Sequence, residues 1–461
     1  MIKPIRTFGV VVAAAMLVVA CGGGGGGSQA PSSQATTSQA PRIQAPASEA
    51  AESEAPESEA PESEAPESEA PESEAPSSGG TESEAPESGA PSSGGTESGA
   101  PSSAGASGGP GTAPDGSAYT LGYSNAFGLG NGFREEQLCT AKAEALVAGV
   151  QEATWLHAED ATYPQLQQIR DLIQQSPDAI VFNPNSPDGY QDAIDEAQEA
   201  DILMVAIDGY VTDPETLNIT NDQFNYGYIG ATWLFDKVGE GNVYYMRGIV
   251  GHPADLDRHA GVMKALEEHP GIKLLPSNDG VGTDWNPDKG TELTNGIIND
   301  GTYDTIDGIW TSGIDQQVVD AIQAAGKEFV PIVGADLKGF VEQLLHRDAK
   351  YEGLEGIAVY NPAAIGGAGV KLAIQALNGE EFETTPFTRT TEDGVEHEIE
   401  AVVLPEPEAY ANDTEDGRAQ LEDIFIEDLN VLWPVSWSIP GWSDYTLEQV
   451  LPPAGCKGPG E

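Results

Sequence analysis

The sequence predicts an α/β fold of two lobes, each a parallel sheet flanked by helices, preceded by a disordered linker. Three observations predict it. From Tyr119 onward, short apolar β-rich runs alternate with amphipathic helical windows. About ten such runs lie in some 260 residues, more than one core holds comfortably, so two lobes are the natural division. Before Tyr119 the chain is Gly, Ser, Glu, Ala and Pro, with almost nothing apolar to bury.

The 461 residues carry 75 Asp+Glu against 20 Lys+Arg, a formal charge of −55. That balance offers no basic footprint for nucleic acid and no long-range attraction to an anionic membrane surface or an acidic polymer. Only three Cys are present, so disulfides do not build this fold. The charge is uneven: residues 1–21 hold two bases and no acid, and residues 22–118 hold 16 acids and one base. The remaining 59 acids and 17 bases fall in 119–461.

Lys3 and Arg6 precede thirteen uncharged residues, Phe8 to Ala20. The run is short for a membrane span and suits a signal-peptide core. It ends Leu17-Val-Val-Ala-Cys21-Gly22, which resembles a bacterial lipobox. Residues 1–20 are therefore expected to be a lipoprotein signal peptide. Cys21 would carry the lipid and hold the mature chain outside the cytoplasm on the cell membrane, at the cell surface or in the periplasm. Residues 21–118 are expected to be a tether. Five consecutive Glu-Ser-Glu-Ala-Pro units run from Glu52 to Pro76, with a sixth at Glu82–Pro86. A proline every five residues stops a helix, and like charges keep the chain extended. As a random coil the tether would span roughly 50–60 Å.

The body's apolar runs include Tyr119–Tyr123, Ala179–Phe182, Ile202–Ile207, Asn242–Met246, Ile306–Trp310 and Gly356–Tyr360. Between them, windows such as Tyr163–Gln174 place Leu166, Ile169, Leu172 and Ile173 on one helical stripe. In parallel sheets ligands bind beyond the carboxyl ends of the strands. The residues found there are Asn125, then Asn131, Phe133 and Arg134; Asn183; Asp208; Arg258 in the helix after Gly248–His252; Trp285; Asp315; Asp336; and Asn361. Asp, Asn and Arg can bond vicinal hydroxyls, and aromatic faces stack on the C–H faces of a sugar ring. The competing reading is turn and cap chemistry, which favours Asn, Asp and Gly at the same places.

At these residues the chain resembles the periplasmic sugar-binding proteins of the ribose/galactose/xylose type, over roughly 119–405. Tyr119–Asn125 with Gly130-Asn-Gly-Phe-Arg134 is similar to the family's first strand and ligand loop. Ala206-Ile-Asp208-Gly209 is similar to its fourth-strand aspartate. Gly248-Ile-Val-Gly251 followed by Arg258-His-Ala-Gly261 is similar to its arginine segment. Asn131 and Arg134 depart from the family's Asn-Pro-Phe-Phe type loop. The resemblance implies a type I periplasmic-binding-protein fold whose lobes close over a ligand. It places the first lobe at 119–222 and 361–385, the second at 223–360 and 386–430, and chain crossings near Asp222, near Asn361 and after Gly379. An aromatic tail, 431–461, is left to pack on the body. The resemblance further implies a receptor that performs no chemistry and needs no cofactor or metal. It would deliver a monosaccharide or polyol to an ABC permease and its ATPase. Alternatives are a sugar sensor for chemotaxis or a kinase, and an extracellular carbohydrate-active enzyme. With Cys21 lipidated, Cys139 and Cys456 are expected to pair in an oxidising compartment.

Rival motifs are weak. Gly128-Leu-Gly130-Asn-Gly132 is not spaced as a dinucleotide loop. Asn183-x-Asn185 lacks the acid a Ca²⁺ loop needs, since Ile194 stands there. His252 and His259 have no partner at metal spacing, and no serine elbow is present.

Overall fold

The apolar run Thr120–Asn125 forms strand β1, buried from Leu121 to its end, and helix α1 (Gly132–Ala148) follows. The computed structural model describes residues 113, 118–126, 131–157, 162–390 and 396–443, all within one unit, Ser98–Glu461. The leader, the lipobox, the repeat and Cys456 lie outside the described residues. The chain continues through β2 (Glu152–His157), α2 (Thr162–Ile173), β3 (Ala179–Asn183), α3 (Gln191–Glu199), β4 (Leu203–Ile207) and β5 (Leu217–Thr220). It then crosses to α4 (Gln223–Val238), β6 (Gly241–Arg247), α5 (Pro253–Glu268), β7 (Ile272–Leu275), β8 (Val281–Gly282) and α6 (Pro287–Asn299). The second lobe goes on with β9 (Gly308–Trp310), α7 (Asp315–Ala324), β10 (Ile332–Ala335), α8 (Lys338–Leu344) and β11 (Gly356–Val359). The chain returns through α9 (Ile365–Asn378), β12 (Thr385–Thr390) and β13 (Glu396–Val403), then adds β14 (Ala409–Ala411) and α10 (Glu415–Ile424).

The first sheet has the order β12-β13-β5-β4-β3-β1-β2. The second runs β14-β11-β10-β9-β6-β7, with β8 pairing β6 off that path. Pairing is parallel except at two edges, where β12 pairs with β13 and β11 with β14 in antiparallel. The predicted two-lobed α/β architecture is thus observed. The third crossing comes later than the expected site after Gly379. Residues 386–390 and 396–403, expected in the second lobe, extend the first sheet, where Ala401 lies opposite Asn218 on β5. Ile399 and Ala401 alternate inward and bury what would otherwise be the open edge of β5. The crossing falls at 404–408, where Leu404 N–H donates to Thr220 O (2.9 Å) and Tyr360 N–H to Glu408 O (2.8 Å).

Two helix pairs approach closely enough to require glycine. A Cβ on Gly227 of α4 would overlap the Arg258 carbonyl of α5, and one on Gly261 would meet the Phe224 carbonyl. A Cβ on Gly366 of α9 would meet the Gln137 carbonyl of α1. The first pair presses α5, and with it Arg258, against the start of α4. Downstream, Trp433 and Trp437 are buried in the core cluster that holds Phe340 and Leu344.

Candidate binding cleft between the lobes

The strand ends of both sheets converge on one cleft of about 1120 Å³. Asn131, Phe133, Arg134, Asp208, Arg258, Trp285, Asp336 and Asn361 line it. Asn125, Asn183 and Asp315 do not. They lie fully buried behind the wall and hold other groups in place.

The first-lobe half is built on Arg134 and Asp208. Asn131 caps α1 by accepting from the Arg134 amide (3.2 Å), which fixes where the helix starts and where Arg134 points. Arg134 Nη1 donates to Asp208 Oδ2 (3.1 Å), and both side chains are 3% exposed. Asp208 has φ +63, a conformation disfavoured for a residue with a Cβ, and it is held there by its neighbours. Thr220 Oγ1 donates to its carbonyl (2.8 Å), Asn183 Nδ2 to its Oδ2 (3.2 Å) and Gln223 Nε2 to its Oδ1 (3.0 Å). Burial raises the Asp208 carboxyl, and Arg134 and then Arg258 offset that. Gln137 lies one layer down. Its Oε1 accepts from Asn125 (3.2 Å), Asn183 (3.2 Å) and Arg134 (3.3 Å).

The second-lobe half is built on Arg258 and Trp285. Arg258 Nε donates to Gln223 Oε1 (2.8 Å), and its guanidinium lies 3.9 Å from the Tyr226 ring centroid and 5.6 Å from that of Trp285. No carboxylate among the described residues forms an ion pair with it. Asp284 and Trp285 both have positive φ, +55 and +50, and this tight turn lays the indole against Gly248, where a Cβ would strike the ring. Trp285 Nε1 donates to Ser312 Oγ (3.3 Å). Asp336 accepts from backbone amides, Asn361 on Oδ1 (3.1 Å) and Ser436 on Oδ2 (3.2 Å). Asp315 accepts from the Thr311 hydroxyl (2.9 Å) and the amides of Gly313 (3.1 Å) and Ala335 (3.0 Å), which spends it on shaping the β9 and β10 ends.

Gln223 links the halves. It bonds Asp208 of the first lobe, Arg258 of the second and Asn361 Oδ1 at the second crossing (3.0 Å). His252, fully buried at the start of α5, also crosses, with Nε2 3.4 Å from Arg134 Nη2. Burial and then the two arginines push its pKa well below the usual histidine range, so the ring adds no charge at neutral pH. The ionisable side chains that line the cleft are Arg134 and Arg258 with Asp208, Asp284, Asp288 and Asp336, and of these Arg134 and Asp208 form an ion pair.

A family described as periplasmic binding protein domain matches residues 123–381, more than half of the sequence. The chain belongs to that family. Among its relatives, the xylitol-binding protein of Mycolicibacterium smegmatis is 27% identical over 260 residues, covering 55% of this chain and 72% of its own. The ribose import binding protein of Escherichia coli is 25% identical, with 50% and 75% covered. The arabinose-transporter periplasmic component from Shewanella sp. ANA-3, solved with arabinofuranose, superposes with a TM-score of 0.55 at 21% identity, over 66% of this chain and 95% of that one. A Mycobacterium smegmatis structure in complex with β-D-fucofuranose gives 0.54 at 23% identity, with 66% and 93% covered. These structures share the fold. The family and its neighbours are substrate-binding proteins, not enzymes.

For a periplasmic binding protein, the sequence reading missed three kinds of residue. Gln223 and Gln137 carry no motif, since a glutamine near a helix start reads as surface. His252 was set aside as a lone histidine. Leu432 and Pro434, from the tail, also line the cleft.

Glu136 on α1 is fully buried, and neither carboxyl oxygen has a hydrogen-bond partner. Burial, and then the charge of Asp336, raise its pKa well above the carboxylate range. The folded protein therefore holds a proton that the unfolded chain releases above about pH 4.5. Its contribution is intact at lower pH and is lost as pH rises toward the folded pKa. Glu136→Met is expected to stabilise the protein, with a gain larger at pH 8 than at pH 5. Urea denaturation at both values checks this, and a variant no more stable than wild type at pH 8 contradicts it.

Proposed function

We propose that this protein is an extracytoplasmic solute receptor that binds a monosaccharide or similar polyol between its lobes and hands it to an ABC permease. The observation that carries this reading is the cleft itself. Arg134 and Asp208 from one lobe meet Arg258 and Trp285 from the other, giving hydroxyl-bonding groups and an aromatic face in one water-accessible gap. The relatives' xylitol and ribose ligands agree with that chemistry. A thermal-shift panel of pentoses, hexoses, polyols and nucleosides tests it, because a specific ligand raises the melting temperature by mass action. If no sugar or polyol shifts it, the solute class is wrong.

Cys21 is proposed as the lipid anchor, checked by mass spectrometry of the membrane-extracted protein. Cys139 is disulfide-bonded, and we propose Cys456 as its partner. Two free thiols on the unreduced mature protein would sink that pairing. A sensory role would couple the same closed state to a signalling partner. Import loss without any signalling defect in a deletion strain separates the two.

Closure is braced by Arg389 of β12, which reaches from the first sheet to Asp257 on α5 with two hydrogen bonds. Asp257 is 6% exposed, and Arg389 stacks over Phe387 at 4.4 Å. Arg389→Ala is expected to leave Asp257 unpaired and shift the lobes toward an open state. Spin-label distances between the lobes should lengthen without ligand. An unchanged distribution would remove the pair from the closure mechanism.

A further inference from the structure

We propose that the C-terminal segment 431–436 is an apolar end wall of the cleft, and that it selects a ligand presenting a methyl, methylene or C–H face there in place of a hydroxyl. This rests on the sugar-receptor reading and narrows its ligand class. Leu432 and Pro434 line the cleft, together with Leu337, which bridges Pro434, and Phe133, which follows Gly132 on α1.

Both lobes fix the wall. From the second, the amides of Lys338 and Gly339 donate to Trp433 O (2.8 Å) and Val431 O (2.9 Å), while Val435 N–H donates to Asp336 O (2.9 Å). From the first, Glu135 Oε2 accepts from Trp433 Nε1 (3.1 Å). The Leu432 carbonyl closes on Gly132 so tightly that any Cβ there would overlap it.

These bonds take up the backbone amides beside Leu432 and Pro434. Leu432 N–H is spent on Asn430 Oδ1 (2.8 Å) and Trp433 N–H on Asn430 O (3.1 Å). Pro434 has no N–H, and the Leu432 carbonyl is covered by Gly132. A hydroxyl placed against the Leu432 and Pro434 side chains loses water and gains no partner there, whereas a methyl gains contact. The hydroxyl-bonding groups, Arg134, Asp208, Arg258 and Asn361, come from other elements of the cleft, so the wall also orients the ligand end for end.

The test is isothermal titration of the full chain with matched hexoses and their 6-deoxy counterparts, galactose and 6-deoxygalactose among them. Wild type is expected to bind a 6-deoxy member about tenfold tighter than its partner. Leu432→Asn should erase that ratio and Leu432→Ala should reduce it, with unliganded melting temperatures unchanged, since the Leu432 side chain is only half-buried. A wild-type preference for the hydroxymethyl member in every pair overturns the proposal. So does a ratio unmoved in both variants. Binding of no sugar or polyol at all, with a different solute bound instead, overturns the receptor reading and is recognised separately.

Discussion

Replacing Asp208 with alanine is expected to destabilise the protein by about 3–5 kcal/mol, the range for leaving one member of a buried ion pair alone. Arg134 would keep its charge at 3% exposure with its carboxylate gone. Asn183 and Gln223 would each lose an acceptor as well. Ligand binding should disappear with the pair. Urea denaturation reads the stability, and a loss under about 1 kcal/mol would mean that the pair is solvated rather than buried. The double variant Arg134→Met, Asp208→Leu separates the two effects. Removing both charges should recover most of the stability, because two apolar groups need no partner. Binding should stay lost, because the two first-lobe hydroxyl-bonding groups are gone.

Arg258→Ala should do the reverse. Its guanidinium is held by one hydrogen bond to Gln223 and by the Tyr226 face, with no carboxylate to strand. The unliganded melting temperature is therefore expected to move little. Affinity should fall about 100-fold or more, the worth of two charge-assisted hydrogen bonds to a ligand. The sugar-dependent thermal shift should vanish with it. A retained shift at wild-type affinity would remove Arg258 from the site.

Much of the site was legible before the fold was known. Asp208, Arg258 and Trp285 stand just after or near apolar runs, and strand-end position is a local property. The same rule over-reached at Asn125, Asn183 and Asp315. These residues follow strands as well, but sequence does not reveal whether a strand-end side chain points into the gap or back under its neighbours. The turn-chemistry reading holds in part for Asn131, which caps α1 and still lines the cleft. The third crossing was placed too early because the β12–β13 hairpin reads as polar, acidic sequence. Only the unpaired edge of β5 gives Ile399 and Ala401 somewhere to bury.

By itself, the sequence determined the two-lobed body, the alternation of strand and helix, and eight of the residues that line the cleft. Those follow from composition and periodicity, which act over a few residues. The tertiary structure alone decided that Gln223 joins the lobes, with Asn361 as a partner 138 positions away. It also decided that Glu136 is sealed from water and that a tail leucine reaches the ligand gap. Each depends on which surfaces meet after folding, and no local pattern encodes a contact between segments so distant in the chain.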